Sequence, residues 1–222
     1  MPIDLHPADP LIDALVADLH PVQPRRWTRE VALVAGLVFA EILIYAALRG
    51  LRPDMPQAMQ SPMFWWKTLT MGSIASLAMA AALLSLDPAI TRAPRLAWLW
   101  RGLALVVPLA LASGWLIDAG ASGAAALLAR LDWRDGLDCL ANVLLLSLAP
   151  LLVLARFVKH GASTRPERSA LAAGLAAAGL GAFVFAFHCN HDDPLYVTIW
   201  YGGAVLGIAG MARLLLPRLL RW

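Results

Sequence analysis

Phe187-His188-Cys189-Asn190-His191-Asp192-Asp193-Pro194-Leu195-Tyr196 lies between two apolar runs, and reading it as the turn that joins them decides the fold. The runs, 169–188 and 194–215, are each near the 20 or so residues that cross a hydrocarbon core about 30 Å thick. Working outward, four more runs of this kind precede them, at 31–48, 62–86, 97–116 and 139–157. The chain has 222 residues, of which 60% are hydrophobic and 15% charged, with a mean hydropathy of +0.67. A soluble domain would carry about 25% charged residues. The expected fold class is therefore all-α: an integral membrane bundle of six transmembrane helices, with a short N-terminal amphipathic helix outside it.

Charge placement gives the orientation. Placing the N-terminus in the cytoplasm puts twelve Lys and Arg, from Arg25 to Arg221, on the inner side and five on the outer. The expectation is N-in and C-in, with Arg101 snorkelling inward. The net charge of +3 says little beside that asymmetry. Residues 1–24 hold four Asp and no Lys or Arg, the wrong sign for the n-region of a signal peptide. Ser61-Pro62 and Asp193-Pro194 read as cap-then-proline helix starts, as does Asp9-Pro10.

From Asp9 to Leu19, an apolar stripe of Leu11, Ile12, Leu15, Val16 and Leu19 is edged by Asp13 and Asp18. Surface-lying membrane helices are usually basic. An acidic one suits a groove on a basic protein; the alternative is a disordered tail whose periodicity is accidental. The domain division expected is a cytoplasmic partner-binding segment at 1–26 and a six-helix sensor domain at 27–222.

Cys139 and Cys189 are the two cysteines of the chain. Cys139 is expected to open the fourth span and Cys189 to close the fifth, both on the outer side. They are either a linked pair or two unrelated small buried residues. Thiolate with imidazole is a ligand set for zinc, copper or cadmium, so Cys139, Cys189, His188, His191 and Asp192 are candidate metal-binding residues. Asp193 is claimed by the N-cap of the sixth span, and Asp192 is either a ligand or merely solvated. Glu41, mid-span, is either a functional carboxylate or a protonated or hydrogen-bonded structural acid with Ser73 or Ser76 as partner, and the second reading is favoured. Lys67 is expected to snorkel, and Trp65, Trp66, Trp98, Trp100 and Trp200 to form interface belts. Gly174, Ala177, Ala178, Gly181 and the Gly203/Gly207 pair are expected to let the last two spans pack as a tight hairpin.

Several segments resemble one family. They are Pro10-Leu11-Ile12-Asp13-Ala14-Leu15-Val16-Ala17-Asp18-Leu19, Gly136-Leu137-Asp138-Cys139-Leu140, Phe187-His188-Cys189 with Asp192-Asp193-Pro194-Leu195-Tyr196, Trp200-Tyr201, and the ending Leu216-Pro217-Arg218-Leu219-Leu220-Arg221-Trp222. Together they are similar to the NrsF-type six-transmembrane anti-sigma factors. The resemblance implies a non-enzymatic protein of the bacterial inner membrane that sequesters an extracytoplasmic-function sigma factor and frees it under heavy-metal or oxidative stress. It also implies that Cys139 and Cys189 match the cysteine pair that family needs to respond. No obligatory cofactor is implied, only a transient metal ion such as cadmium or zinc, or a Cys139–Cys189 disulfide. The partners expected are the sigma factor at the inner face and the lipid bilayer, with no direct contact to nucleic acid. The alternative, a transporter of a metal or small solute, calls for midplane polar groups on several helices, which spans three, five and six hardly offer. A membrane thiol–disulfide enzyme would need a second cysteine pair.

Overall fold

A computed structural model describes residues 10–17, 25–87, 94–129 and 133–219. Every regular element among them is helical: α1 (Pro10–Ala17), α2 (Trp27–Arg49), α3 (Met55–Ala58), α4 (Pro62–Leu84), α5 (Pro94–Ala129), α6 (Trp133–His160) and α7 (Pro166–Ala186), then α8 (Pro194–Leu219). Five of these, α2, α4, α6, α7 and α8, are long and apolar enough to cross a membrane. The third expected span, 97–116, falls inside α5, which runs on as far as Ala129 with Pro108 in its interior.

The expected helix starts have physical causes that the structure displays. The Ser61 side chain accepts from the Met63 amide at 3.3 Å, with Pro62 at the first helical position. Asp193 accepts from the Leu195 and Tyr196 amides at 2.9 and 3.2 Å, so its capping role holds. At the end of α2, Gly50 takes φ +80 and donates its amide to Ala46; an L side chain there would be strained. Two boundaries move. α6 starts at Trp133, so Cys139 sits six residues inside the helix. The acidic stretch ahead of Cys139 is helical because Asp135 in the first turn favours the positive end of the helix dipole. α7 closes at Ala186, leaving Cys189 in the turn beyond it.

The centre of the bundle is α7. Its Ala172, Ala173, Ala176, Ala177, Ala178 and Ala182 are fully buried, and it packs against α4, α6 and α8 at once. A helix buried all round needs small residues wherever a neighbouring backbone approaches. A Cβ on Gly174 would lie 2.8 Å from Ala209 Cα of α8, one on Gly179 3.0 Å from Ala75 Cα of α4, and one on Gly181 2.8 Å from Ser147 N of α6. The tight hairpin of the last two spans is thus one of three close packings. Gly203 and Gly207 face no heavy atom within 4 Å, so they take no part in it. We therefore expect Gly181→Val to cost on the order of 1–3 kcal/mol by overpacking, and Gly207→Ala to leave stability unchanged or raise it. Unfolding in mixed micelles reads both.

Candidate functional site

The site lies at the end of the bundle where α7 hands over to α8, and it is assembled from six segments: α2, the α2–α3 link, α4, α6, the α7–α8 turn and the start of α8. Cys189 comes from the α7–α8 turn and Cys139 from α6. Both thiols are buried and free, at 5% and 2% exposure. They lie close enough for each to act on the other's ionisation, and the Cys189 thiol also points at the His191 carbonyl, 4.0 Å away. They line an open cleft of about 380 Å³ whose other walls include Tyr45, Asn142, His188, His191 and Tyr196. Among the candidates, then, the fold does bring the two cysteines together.

The remaining candidates have other partners. His188 uses Nδ1 on the Gly50 carbonyl at 2.9 Å and meets the Tyr45 ring edge-on at 5.2 Å. His191 stacks on Tyr196 at 4.4 Å, its Nε2 standing 3.3 Å from Asp135 Oδ2. Asp192 is not merely solvated: it bridges Lys67 Nζ at 2.6 Å and Arg52 Nη1 at 2.8 Å. Among the described residues, no three His, Cys, Asp or Glu side chains converge as a ready metal-binding group. The two sulfurs remain as soft donors.

Two cations dominate the electrostatics, and neither stands out in the sequence as part of the site. Lys67 of α4 is fully buried, at 0% exposure, and does not snorkel. Its ammonium donates to the carbonyls of Cys189 and His191 at 3.0 and 3.1 Å and lies 5.9 Å from the centre of the Tyr201 ring. Arg52, from the α2–α3 link, grips Asp54 with Nε and Nη2 at 2.8 and 2.7 Å. It also donates to the Cys189 carbonyl at 3.2 Å. Arg52 and Asp54 strengthen each other's charged forms: their hydrogen bonds hold the Asp54 carboxyl down at about 2 and lift the Arg52 guanidinium further. A buried ammonium is costly unless paired, and here Asp192 supplies the pairing. A lysine five residues beyond Pro62 lies inside the helical span, and that placement was the available signal.

The start of α8 completes the enclosure. Residues Val197–Tyr201 form a π turn. Residues five apart on an α-helix diverge by about 140°, whereas the wider π turn brings Tyr196 and Tyr201 both inward, at 2% and 0% exposure. Among the described residues, neither hydroxyl has an oxygen or nitrogen partner. The polar groups they face are the thiols, Cys139 for Tyr196 and Cys189 for Tyr201. π turns of this kind recur at functional sites. The Trp200 ring lies directly on Gly136 of α6.

The Cys189 thiol is held below the ordinary thiol value. The neighbouring Cys139 thiol contributes most, burial opposes it, and Lys67 and Tyr201 add to the lowering. The buried Glu41 Oε2 has no hydrogen-bond partner among the described residues, so the bond expected with Ser73 or Ser76 is not made by that atom. At the N-terminal end, Leu11, Ile12, Asp13, Leu15 and Val16 fall within α1, with Ile12 and Val16 exposed. Asp18 and Leu19 lie outside the described residues, as does Asp9.

Fold and site together define a helical bundle of membrane-crossing length that carries a thiol pair and a buried charge cluster at one end. Comparison with known proteins narrows that class. The family model described as NrsF, negative regulator of sigma F, matches residues 15–222, and the chain belongs to this family. It is 33% identical to the anti-sigma-F factor NrsF of Caulobacter vibrioides, covering 96% of this chain and 99% of that one. It is 30% identical to the probable anti-sigma-F factor NrsF of Azospira oryzae, over 96% and 98%. No solved structure matches the chain.

Proposed function

We propose that this protein is a membrane-bound anti-sigma factor of the bacterial inner membrane, N-in and C-in with six crossings. It sequesters an extracytoplasmic-function sigma factor through residues 1–26 and frees it when heavy-metal or oxidative stress acts on Cys139 and Cys189 from the outer side. The observation that carries the sensing part is the meeting of these two thiols, fifty residues apart (189 − 139) in sequence, under an open cleft. Two thiols in reach of each other can give up two electrons and two protons to hydrogen peroxide, forming one disulfide and two waters. They can instead share a soft ion such as cadmium as two thiolates. His188, His191 and Asp192 are engaged elsewhere, so the pair itself carries the chemistry in either case.

The distance to the output end is bridged by α4. Near its start, Lys67 holds the turn that carries Cys189. At its other end, the Leu83 carbonyl accepts from Arg25 Nη1 at 3.0 Å, at the root of the N-terminal segment. Sixteen residues of helix (83 − 67), about 24 Å, separate the two attachments. That end is also tied to the base of α7 through Ser85, whose hydroxyl lies 2.6 Å from that of Ser169. A change in the turn therefore has a rigid route as far as Arg25, where the N-terminal segment begins. Shifting a two-state balance requires only that the altered sulfur pair favour one arrangement. Affinity capture of the full-length protein from solubilised membranes tests the assignment. Recovery of a sigma factor with it is expected, and its absence from unstressed cells would remove the anti-sigma reading.

A further inference from the structure

We infer that Lys67 is a positioning residue of the thiol pair, selecting Cys189 as the thiol that reacts first by presenting a buried positive charge to its turn. This deepens the sensing reading above and rests on it only for the word sensing. The geometry carries the inference. Lys67 is fully buried, and its three donors are spent within one turn: the Cys189 carbonyl, the His191 carbonyl and the Asp192 carboxylate. A lysine placed only to anchor a helix end in the interface would reach water. This one reaches the backbone of the reactive residue instead. Arg52 binds the same Cys189 carbonyl and the same carboxylate from the other side, so the turn is clamped between two cations.

The charged and titratable groups around Cys189 can be taken element by element. Lys67 comes from α4, Cys139 and Asp135 from α6, and Tyr196 and Tyr201 from α8. Tyr45 and Arg49 come from α2, Arg52 and Asp54 from the α2–α3 link and α3 start, and His188, His191 and Asp192 from the turn. Lys67 and Arg52 are both buried, at 0% and 3% exposure, and Lys67 is the one of the two whose charge acts on the Cys189 thiol itself. Asp192 opposes it, drawing the ammonium towards itself and placing a negative charge on the same turn. Thiolates, not thiols, attack electrophiles, so a cation that favours the thiolate favours reaction.

The test uses the full-length protein in native membranes with Cys139→Ser, where Cys189 is the sole thiol. Iodoacetamide is the probe: the Cys189 thiolate displaces iodide, a C–S bond forms and iodide leaves. The pH midpoint of the alkylation rate is read and normalised to denatured protein. With Lys67→Met the midpoint is expected to rise by at least about one unit, slowing reaction below the midpoint about tenfold. With Asp192→Asn it is expected to fall, since the opposing carboxylate is gone. A role confined to holding the turn would change the plateau rate, through access, without moving the midpoint in opposite directions. A midpoint that stays put in Lys67→Met, or rises in Asp192→Asn, overturns the inference. If Lys67→Met fails to accumulate, the sign of the Asp192→Asn shift decides. If midpoints move as stated while cysteine variants respond to stress normally, the sensing reading fails and the Lys67 assignment stands.

Discussion

Replacing either Cys139 or Cys189 with serine is expected to abolish induction of the sigma-dependent genes by cadmium, dichromate or peroxide while repression in unstressed cells persists. Serine keeps the size and the capacity to hydrogen-bond, so the packing around both positions survives. It removes the only atoms in the cleft able to form a disulfide or bind a soft ion as thiolate. Both positions are buried to within a few per cent, and each thiol has the other as its neighbour. Loss of either therefore disables the pair, and the double variant should be no worse than the single ones. That non-additivity is the signature of two residues acting as a unit. A reporter fused to a sigma-dependent promoter reads all three strains, and full induction in both single variants would remove the sensor assignment.

The second large effect is expected at the other end of the chain. Deleting residues 1–26 should release the sigma factor constitutively, and the truncated protein should no longer co-purify with it. Ile12 and Val16 are four residues apart on α1 and both exposed, the spacing of a single face. Apolar anchors buried at an interface contribute on the order of 2 kcal/mol each. The Ile12→Ala, Val16→Ala double variant should then bind about three orders of magnitude more weakly. Titration of the sigma factor against solubilised full-length protein measures this. Undiminished binding by the deletion would move the contact to another inner surface. Arg25, whose guanidinium meets both Glu30 and the Leu83 carbonyl, is removed with the segment, so the deletion also cuts the proposed link to α4.

The helices were legible because, in a chain this poor in charge, apolar blocks near 20 residues long match the thickness of a bilayer core and little else. Their starts at Pro62 and Pro194 were legible to the residue, since a capping side chain followed by proline is a local code. The depth of Cys139 was less so. The acidic residues before it suit a loop, yet the same charges support the first turn of a helix. Lateral arrangement lay beyond the sequence altogether. That α7 is the hub follows from which faces of Gly174, Gly179 and Gly181 meet which helices, and all three faces are equally small and apolar on paper.

The candidate site divides the same way. The two cysteines were visible as the chain's only pair, and the fold joins them. His188, His191 and Asp192 were visible as ligand types, but the fold engages each with a different partner: Gly50, Tyr196 and Asp135, and the two cations. Lys67 was visible only as a charge near a span end. Its burial depends on Asp192, 125 positions later (192 − 67), and no local pattern encodes such a pairing. Tyr196 and Tyr201 face inward together because a π turn alters the helical phase, which periodicity arguments do not anticipate.

The central claim is that chemistry at the thiol pair frees a sigma factor from the opposite end of the bundle. It is tested most directly by release. The protein is captured from membranes with its sigma factor bound, then exposed to peroxide or cadmium, and the sigma factor remaining is measured alongside the state of Cys139 and Cys189. The account predicts release from the wild type in step with modification of both thiols, and retention by Cys139→Ser and Cys189→Ser under the same exposure. Equal release from all three proteins, or retention by a wild type whose thiols are fully modified, would contradict it.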